Sequence, residues 1–410
     1  MGAAGLVELL VDKVRSLLSA SGGLNEMSYD TDIVEAAVCA LANVLSLHAP
    51  NANKLVAVGG LDVLISLLRS NVSVDLLDSD REAQIQANAA NALANTLALF
   101  RGEGRRSLLR AFFHSLKRPL LARHISPISS IKSTLSAVIL LCVASLSTTR
   151  CAAALLLGNL ALDPELRSEL GHAGAIEALW STSKEGKNRS QCATALWALS
   201  NLVWSNSANQ ERCGQFLEHV IALAAGGQNL QKWNEVKTRD LTPSRARSQT
   251  TLRERPFARE PPPSEIIKRS CALCLVANTL YFNDSNRVRV ESLPNVVEML
   301  IAFADYSEPS AVREPALRCL ASLTATDRGA KRVALAQAEI GSDVCRTLVY
   351  AAGDKSTGGG YANVRRLGAA TLTNICSLTD ARHRMSVSPV CMICHLSTIG
   401  VGLQLAEQTH

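Results

Sequence analysis

The sequence predicts an all-α fold, a right-handed α-solenoid of stacked helical repeats, and three observations carry that prediction. A short phrase of small residues, Leu and Asn recurs along the chain. The intervals between its copies suit a helical repeat, and the apolar composition suits close-packed helices.

The phrase appears as Ala-Leu-Ala-Asn-Val at 40–44, Ala-Leu-Ala-Asn-Thr at 92–96, Leu-Leu-Gly-Asn-Leu at 156–160, Ala-Leu-Ser-Asn-Leu at 198–202, Val-Ala-Asn-Thr-Leu at 276–280 and Thr-Leu-Thr-Asn-Ile at 371–375. A copy with Ser in place of Asn sits at Cys319-Leu320-Ala321-Ser322-Leu323. A unit of this kind cannot bury its own apolar face, so it stacks on copies of itself and exposes a long shared surface. The steps between Asn43, Asn95, Asn159, Asn201, Asn278, Ser322 and Asn374 are 52, 64, 42, 77, 44 and 52 residues. The two shortest fall within the roughly 40–47 residues of repeats built from two or three helices, and the longer ones imply insertions.

Behind the Asn helices comes a second pattern: a polar stretch with Asn or Arg, a Gly, then an amphipathic helix. Asn53 to Gly60 followed by Leu61 to Leu68 is the cleanest copy; Glu165 to Gly174 with Ala175 to Trp180, and Asn286 to Leu293 with Val296 to Ile301, are two more. Gly suits that corner because it adopts backbone angles closed to other residues. This order resembles the armadillo family, in which a short first helix turns a Gly-containing corner into a second helix and then a long third helix carrying the Asn. The resemblance covers most of residues 5–384 and implies a right-handed α-solenoid of about seven armadillo repeats.

Composition agrees. A chain of 410 residues exceeds a single core of up to roughly 250–300 residues, so it is several domains or a solenoid. Its residues are 47% hydrophobic but only 4% aromatic, and the Ala, Leu and Val that remain favour helices. Most of the 12 cysteines, among them Cys39, Cys192, Cys271, Cys274, Cys319 and Cys376, sit inside the helical phrases, where free Cys acts as a small hydrophobe. With no basic, apolar leader in the first residues, a reducing cytoplasmic or nuclear compartment is expected. The sequons at Asn71, Asn188 and Asn283 are then chance matches.

The net charge of +6 is concentrated: residues 101–124 carry +6 and residues 237–259 carry +5, which leaves about −5 on the rest of the chain. The scaffold is therefore not basic, and a direct nucleic-acid partner is not expected. The resulting layout is armadillo repeats at 5–100, an irregular basic then apolar insertion at 101–150, repeats at 151–227, a basic Pro-containing disordered insertion at 228–264, repeats at 265–384 and a non-repeat tail at 385–410. The insertion at 228–264 carries Thr242-Pro243, Pro261-Pro262-Pro263 and candidate phosphorylation sites Ser244 and Ser248. The uncharged run Ser133 to Thr149 is 17 residues long and rich in Ser and Thr, which reads as a buried helix rather than a membrane span of about 20 apolar residues. Residues 104–150 and 386–410 lack the repeat pattern and are rich in Ser, Leu, Val, Ile and Cys, the composition a translated intron would give.

Chemistry-bearing motifs are few. Cys391-Met392-Ile393-Cys394-His395 matches the haem c attachment pattern, the basis of a third reading as a haem-binding or enzymatic protein, but it lies outside the repeats. Cys271 and Cys274 have Cys-x-x-Cys spacing without a second pair for zinc. Met1-Gly2 invites myristoylation, yet Leu6 stands where Ser or Thr belongs. No nucleotide loop, nucleophile elbow or His-Glu-x-x-His appears, so no catalysis, cofactor or metal is expected.

Binding is the remaining signal. Residues four apart share a helix face, and Trp197-Ala198-Leu199-Ser200-Asn201 resembles the Trp and Asn array of the importin alpha family. That resemblance implies a concave groove where Asn side chains hold a peptide backbone and Trp faces flank Lys stems. A carboxamide both donates and accepts, and an indole face attracts a cation. Trp197, Asn201, Trp204, Asn159, Asn278, Tyr281, Phe282, Asn95, Asn43 and Asn374 are the candidate groove residues. Only one helix carries the Trp and Asn pair, so the expected function is a monomeric scaffold or adaptor for an extended peptide or partner helix. The alternative is an importin-alpha-like carrier of basic localisation signals, which should expose acidic groups beside that pair.

Overall fold

The computed structural model describes residues 3–20, 30–69, 80–100, 104, 107–109, 111–112, 127–184, 189–227, 263–305, 308–340, 344–353 and 359–377. Gly2, Ser244, Ser248, Asn71, Asn188 and the Cys391, Cys394 and His395 motif lie outside these residues, as does most of the predicted insertion at 228–264. Every element among the described residues is a helix. The chain divides into two compact units, Met1–Leu202 and Val203–His410.

Unit 1 contains α1 (Ala3–Ala20), α2 (Asp30–Leu45), α3 (Ala49–Ala57), α4 (Gly60–Arg69), α5 (Asp80–Leu99), α6 (Pro127–Leu141), α7 (Ser147–Leu160), α8 (Pro164–His172), α9 (Ala175–Lys184) and α10 (Arg189–Val203), the last closing it. Unit 2 contains α11 (Ser207–Gly214), α12 (Leu217–Ala224), α13 (Pro263–Leu280), α14 (Asp284–Glu291), α15 (Val296–Phe303), α16 (Ser310–Thr324), α17 (Asp327–Ile340), α18 (Val344–Ala352) and α19 (Gly359–Cys376). Each unit is an α-solenoid segment of stacked helix triplets. The third helices, α2, α5, α7 and α10 in unit 1 and α13, α16 and α19 in unit 2, carry the Asn phrase. Within each unit, α5 packs on α2 and α7, and α16 packs on α13 and α19.

Small side chains explain that stack. In α5, Ala83, Ala87, Ala89, Ala90, Ala92 and Ala94 are all buried together with Ile85, Leu93 and Leu97. A helix buried nearly all round must sit between others, and Ala lets its neighbours approach closely. The second helices are also deeply packed: in α4 Leu64, Ile65, Leu67 and Leu68 are fully enclosed, and in α15 Val296, Val297, Met299, Leu300 and Ile301 are buried.

Three of the described corners between first and second helices turn through left-handed backbone, whereas the α11–α12 corner, at Gln215 and Phe216, stays right-handed. Gly59 at φ +70° and Gly174 at φ +93° take the left-handed form in unit 1. In unit 2 the corresponding corner is Asn295 at φ +58°, Asn being the residue that tolerates this region best after Gly. First helices start on side-chain caps: His48 Nδ1 accepts from the Asn51 amide at 3.2 Å, Asn206 Oδ1 from Asn209 at 3.0 Å and Asn283 Oδ1 from Asn286 at 2.9 Å.

The uncharged run at 133–149, expected to be one buried helix, is instead the end of α6, a turn, and the start of α7. Arg150 explains the break: its Nη1 donates to the carbonyls of Ala144 at 2.6 Å and Ser145 at 2.7 Å, capturing acceptors that a continuing helix would have used. The run is tied in on both sides, with Arg69 Nε donating to Thr134 Oγ1 at 2.6 Å and Thr182 Oγ1 to the Cys142 carbonyl at 2.7 Å. No single described helix is long and apolar enough to cross a membrane.

Candidate functional site

On four of the third helices the Asn reaches back to the third helix of the preceding repeat. In unit 1, Asn95 Nδ2 donates to the Ala42 carbonyl at 2.9 Å, Asn159 Nδ2 to Ala94 at 3.3 Å and Asn201 Nδ2 to Gly158 at 3.0 Å. In unit 2, Asn374 Nδ2 donates to Ala321 at 3.5 Å and to Thr324 Oγ1 at 3.2 Å. The acceptor is always the residue just before the marked position of the preceding repeat. These amides therefore set the register between repeats, each bond contributing about 1 kcal/mol. Asn43, at the first third helix, has no such rung; its Nδ2 lies 3.8 Å from Cys39 Sγ and the residue is exposed.

Asn278 is used differently. It is buried, and its Oδ1 accepts a short hydrogen bond from the Arg318 guanidinium. Its backbone carbonyl, with that of Tyr281, accepts from Gln210 Nε2 at 2.9 and 3.0 Å, which closes the end of α13. Asn286 Nδ2 plays the same part toward Gln210 and Thr279.

Two faces emerge. On unit 1, reading back from Asn95, Asn159 and Asn201 at helical spacing gives Asn91, Asn88 and Gln84 on α5, Leu155 and Cys151 on α7, and Trp197 and Thr194 on α10, none of them charged. On α2 the same reading from Asn43 gives Cys39, Ala36 and the exposed Asp32, which pairs with Arg81 at 2.8 Å. Trp197 is half-buried, and its six-membered ring occupies the space that a Cβ at Gly158 would fill. That contact accounts for Gly in the 156–160 phrase where other copies have Ala or Ser.

On unit 2, Trp204 stacks on Tyr281 with ring centroids 5.3 Å apart, and Phe282 meets Tyr281 edge-on at 4.4 Å. The Arg318 guanidinium lies over the Trp204 ring at 5.6 Å. Trp204 and Tyr281 are each 39% exposed and Phe282 is 81% exposed. Phe282 is also held at φ +51°, a left-handed conformation that costs a non-glycine residue about 1 kcal/mol or more. Leu47 at φ +58° and Ser205 at φ +50° take the same conformation, each four residues after a marked Asn. Burial raises the Cys274 thiol pKa above its ordinary value, with Arg318 acting in the opposite sense.

The structure thus brings Asn159, Trp197 and Asn201 together in unit 1, and Trp204, Asn278, Tyr281 and Phe282 together in unit 2. Asn95 and Asn374 are rungs of the same kind elsewhere in their units. Arg318, Gly158 and Gln210 were not among the expected site residues. Arg318 occupies the position four before Ser322 that Trp197 occupies before Asn201, so the alignment of phrases held its signal.

No family model matches the chain, and no curated relative matches its sequence. Among solved structures it is similar to an engineered protein at 16% identity, covering 96% of this chain and 98% of that one with a TM-score of 0.45. It is similar to a designed armadillo repeat protein at 14% identity, covering 90% and 99% with a TM-score of 0.41. A further designed armadillo repeat protein, solved in complex with the peptide (KR)4, is 14% identical over 90% of this chain and 99% of that chain, with a TM-score of 0.38.

Proposed function

We propose that this chain is a protein-interaction scaffold or adaptor that binds extended peptides on the Asn-bearing faces of its third helices. The observation that carries this reading is the exposed Trp204, Tyr281 and Phe282 cluster beside Asn278 and Arg318. Solvent-facing aromatic clusters of this kind are where binding energy concentrates in protein interfaces. An apolar ring held out at a strained corner gains more from a partner than from the fold.

The thiols of Cys142 and Cys319 offer no competing nucleophile. Burial pushes the Cys142 thiol up to about 12 and raises Cys319 as well, so both remain protonated and unreactive at neutral pH. A reducing cytoplasmic or nuclear setting is part of the proposal. An import carrier for basic signals is the weaker form of it, because the face around Trp197 and Asn201 offers no carboxylate to meet Lys. Selection from a displayed random-peptide library, followed by titration of the enriched peptides, tests the reading. Binding should fall at least about tenfold on Trp204→Ala; failure of any peptide to enrich would count against it.

A further inference from the structure

Resting on that reading, we infer that the unit 2 face selects acidic peptides: an extended segment whose Asp or Glu carboxylates meet Arg318 and Arg366 and whose apolar or aromatic side chain covers Phe282. The charge on the face supports the choice. Reading back from the marked positions at helical spacing, α13 offers Cys274 and Cys271, α16 offers Arg318 and Glu314, and α19 offers Ala370, Arg366 and Asn363. The one carboxylate, Glu314, accepts from the neutral Asn363 Nδ2 at 3.2 Å and keeps its charge, so Arg318, Arg366 and Glu314 together leave this face at +1. Charges nearer the start of α13 cancel in pairs, Lys268 with Glu265 at 3.0 Å and Arg269 with Glu308 at 3.7 Å.

Arg318 is held ready for an anion. Its guanidinium is fixed by Asn278 Oδ1 and by the Trp204 ring, two neutral partners that orient it without neutralising it. A guanidinium has five N–H donors, so a neutral amide leaves most of them for a carboxylate. Arg366 is exposed and has no hydrogen-bond or ion-pair partner among the described residues. It lies on the stretch of α19 between Asn363, which touches Glu314, and Asn374, which bonds Ala321, so it belongs to the same α16 and α19 face. A basic peptide would meet two guanidiniums against the single carboxylate of Glu314 here. An acidic one exchanges water for charge-assisted bonds.

Beside these cations the exposed edge of Phe282 and the Tyr281 ring offer an apolar surface. The recognised chemistry is therefore a carboxylate next to an apolar anchor, in an extended backbone.

The test uses the full chain and three labelled peptide pools of equal length, each with one Phe or Leu per peptide and differing only in acidic, neutral or basic flanks. Fluorescence anisotropy should show the acidic pool binding at least about tenfold tighter than the other two, and more weakly as salt rises. Arg366→Glu, at an exposed side chain outside the core, should abolish that preference, as should Arg318→Gln in protein whose thermal unfolding is unchanged. Basic or neutral pools binding as well as the acidic pool, or an acidic preference that survives Arg366→Glu and Arg318→Gln, overturns the inference while leaving the scaffold reading standing. No binding by any pool overturns both.

Discussion

Trp197 lies on Gly158, its ring filling the place where any larger residue would put its first side-chain carbon, while Asn201 one turn later donates to the same residue's carbonyl at 3.0 Å. Gly158 is thus gripped twice by α10. Gly158→Ala should destabilise unit 1 by about 1–3 kcal/mol, the usual cost of forcing atoms into a filled site. Urea unfolding followed by Trp fluorescence measures it. An unchanged midpoint would mean the ring moves aside freely.

The Asn rungs differ in worth, and the difference is measurable. Asn95→Ala or Asn201→Ala should each cost about 1–2 kcal/mol, because a backbone carbonyl loses its partner. Asn43→Ala should cost less than about 0.5 kcal/mol, since that exposed side chain holds no neighbouring helix. Equal losses at all three positions, read from chemical unfolding, would contradict the register role.

Phe282 separates stability from binding. Its φ of +51° is relieved by Gly, and at 81% exposure little packing is lost. Phe282→Gly should leave thermal stability unchanged or raise it by up to about 1 kcal/mol, yet weaken peptide binding to unit 2. A variant that both melts earlier and binds normally would reverse the assignment.

Glu291 gives a pH dependence with a defined sign. Burial raises its carboxyl above the ordinary 4.5, against the pull of Arg328 and the hydrogen bond from Thr326. A carboxyl that is easier to protonate in the folded state binds more protons folded than unfolded, so its contribution to stability grows as pH falls from the raised pKa to about 4.5 and is flat below. The stability of the wild type relative to Glu291→Gln should therefore increase on acidification through that window. Calorimetry at stepped pH values checks it, and a decrease would mean that the Arg328 pair outweighs burial.

Much of this was legible in the chain because period and composition act locally. The Asn phrase, the Gly59 and Gly174 corners and the Ala-rich third helices follow from spacing alone. The Asn295 corner was hidden because a residue other than Gly meets the same backbone need. The break between α6 and α7 was hidden because it depends on one side chain, Arg150, reaching back to two carbonyls within an apolar run. Arg318 was overlooked for a different reason. Its cationic role is created by Trp204 and Asn278, partners from distant stretches of sequence that only folding brings beside it.

The central claim, that exposed groups on the Asn faces bind extended peptides, is tested most directly by titrating library-selected peptides against the wild type, Trp204→Ala and Phe282→Ala in parallel. The expected result is saturable binding to the wild type, weakened at least about tenfold in both variants while their unfolding midpoints hold. Peptides that bind all three proteins equally would contradict it.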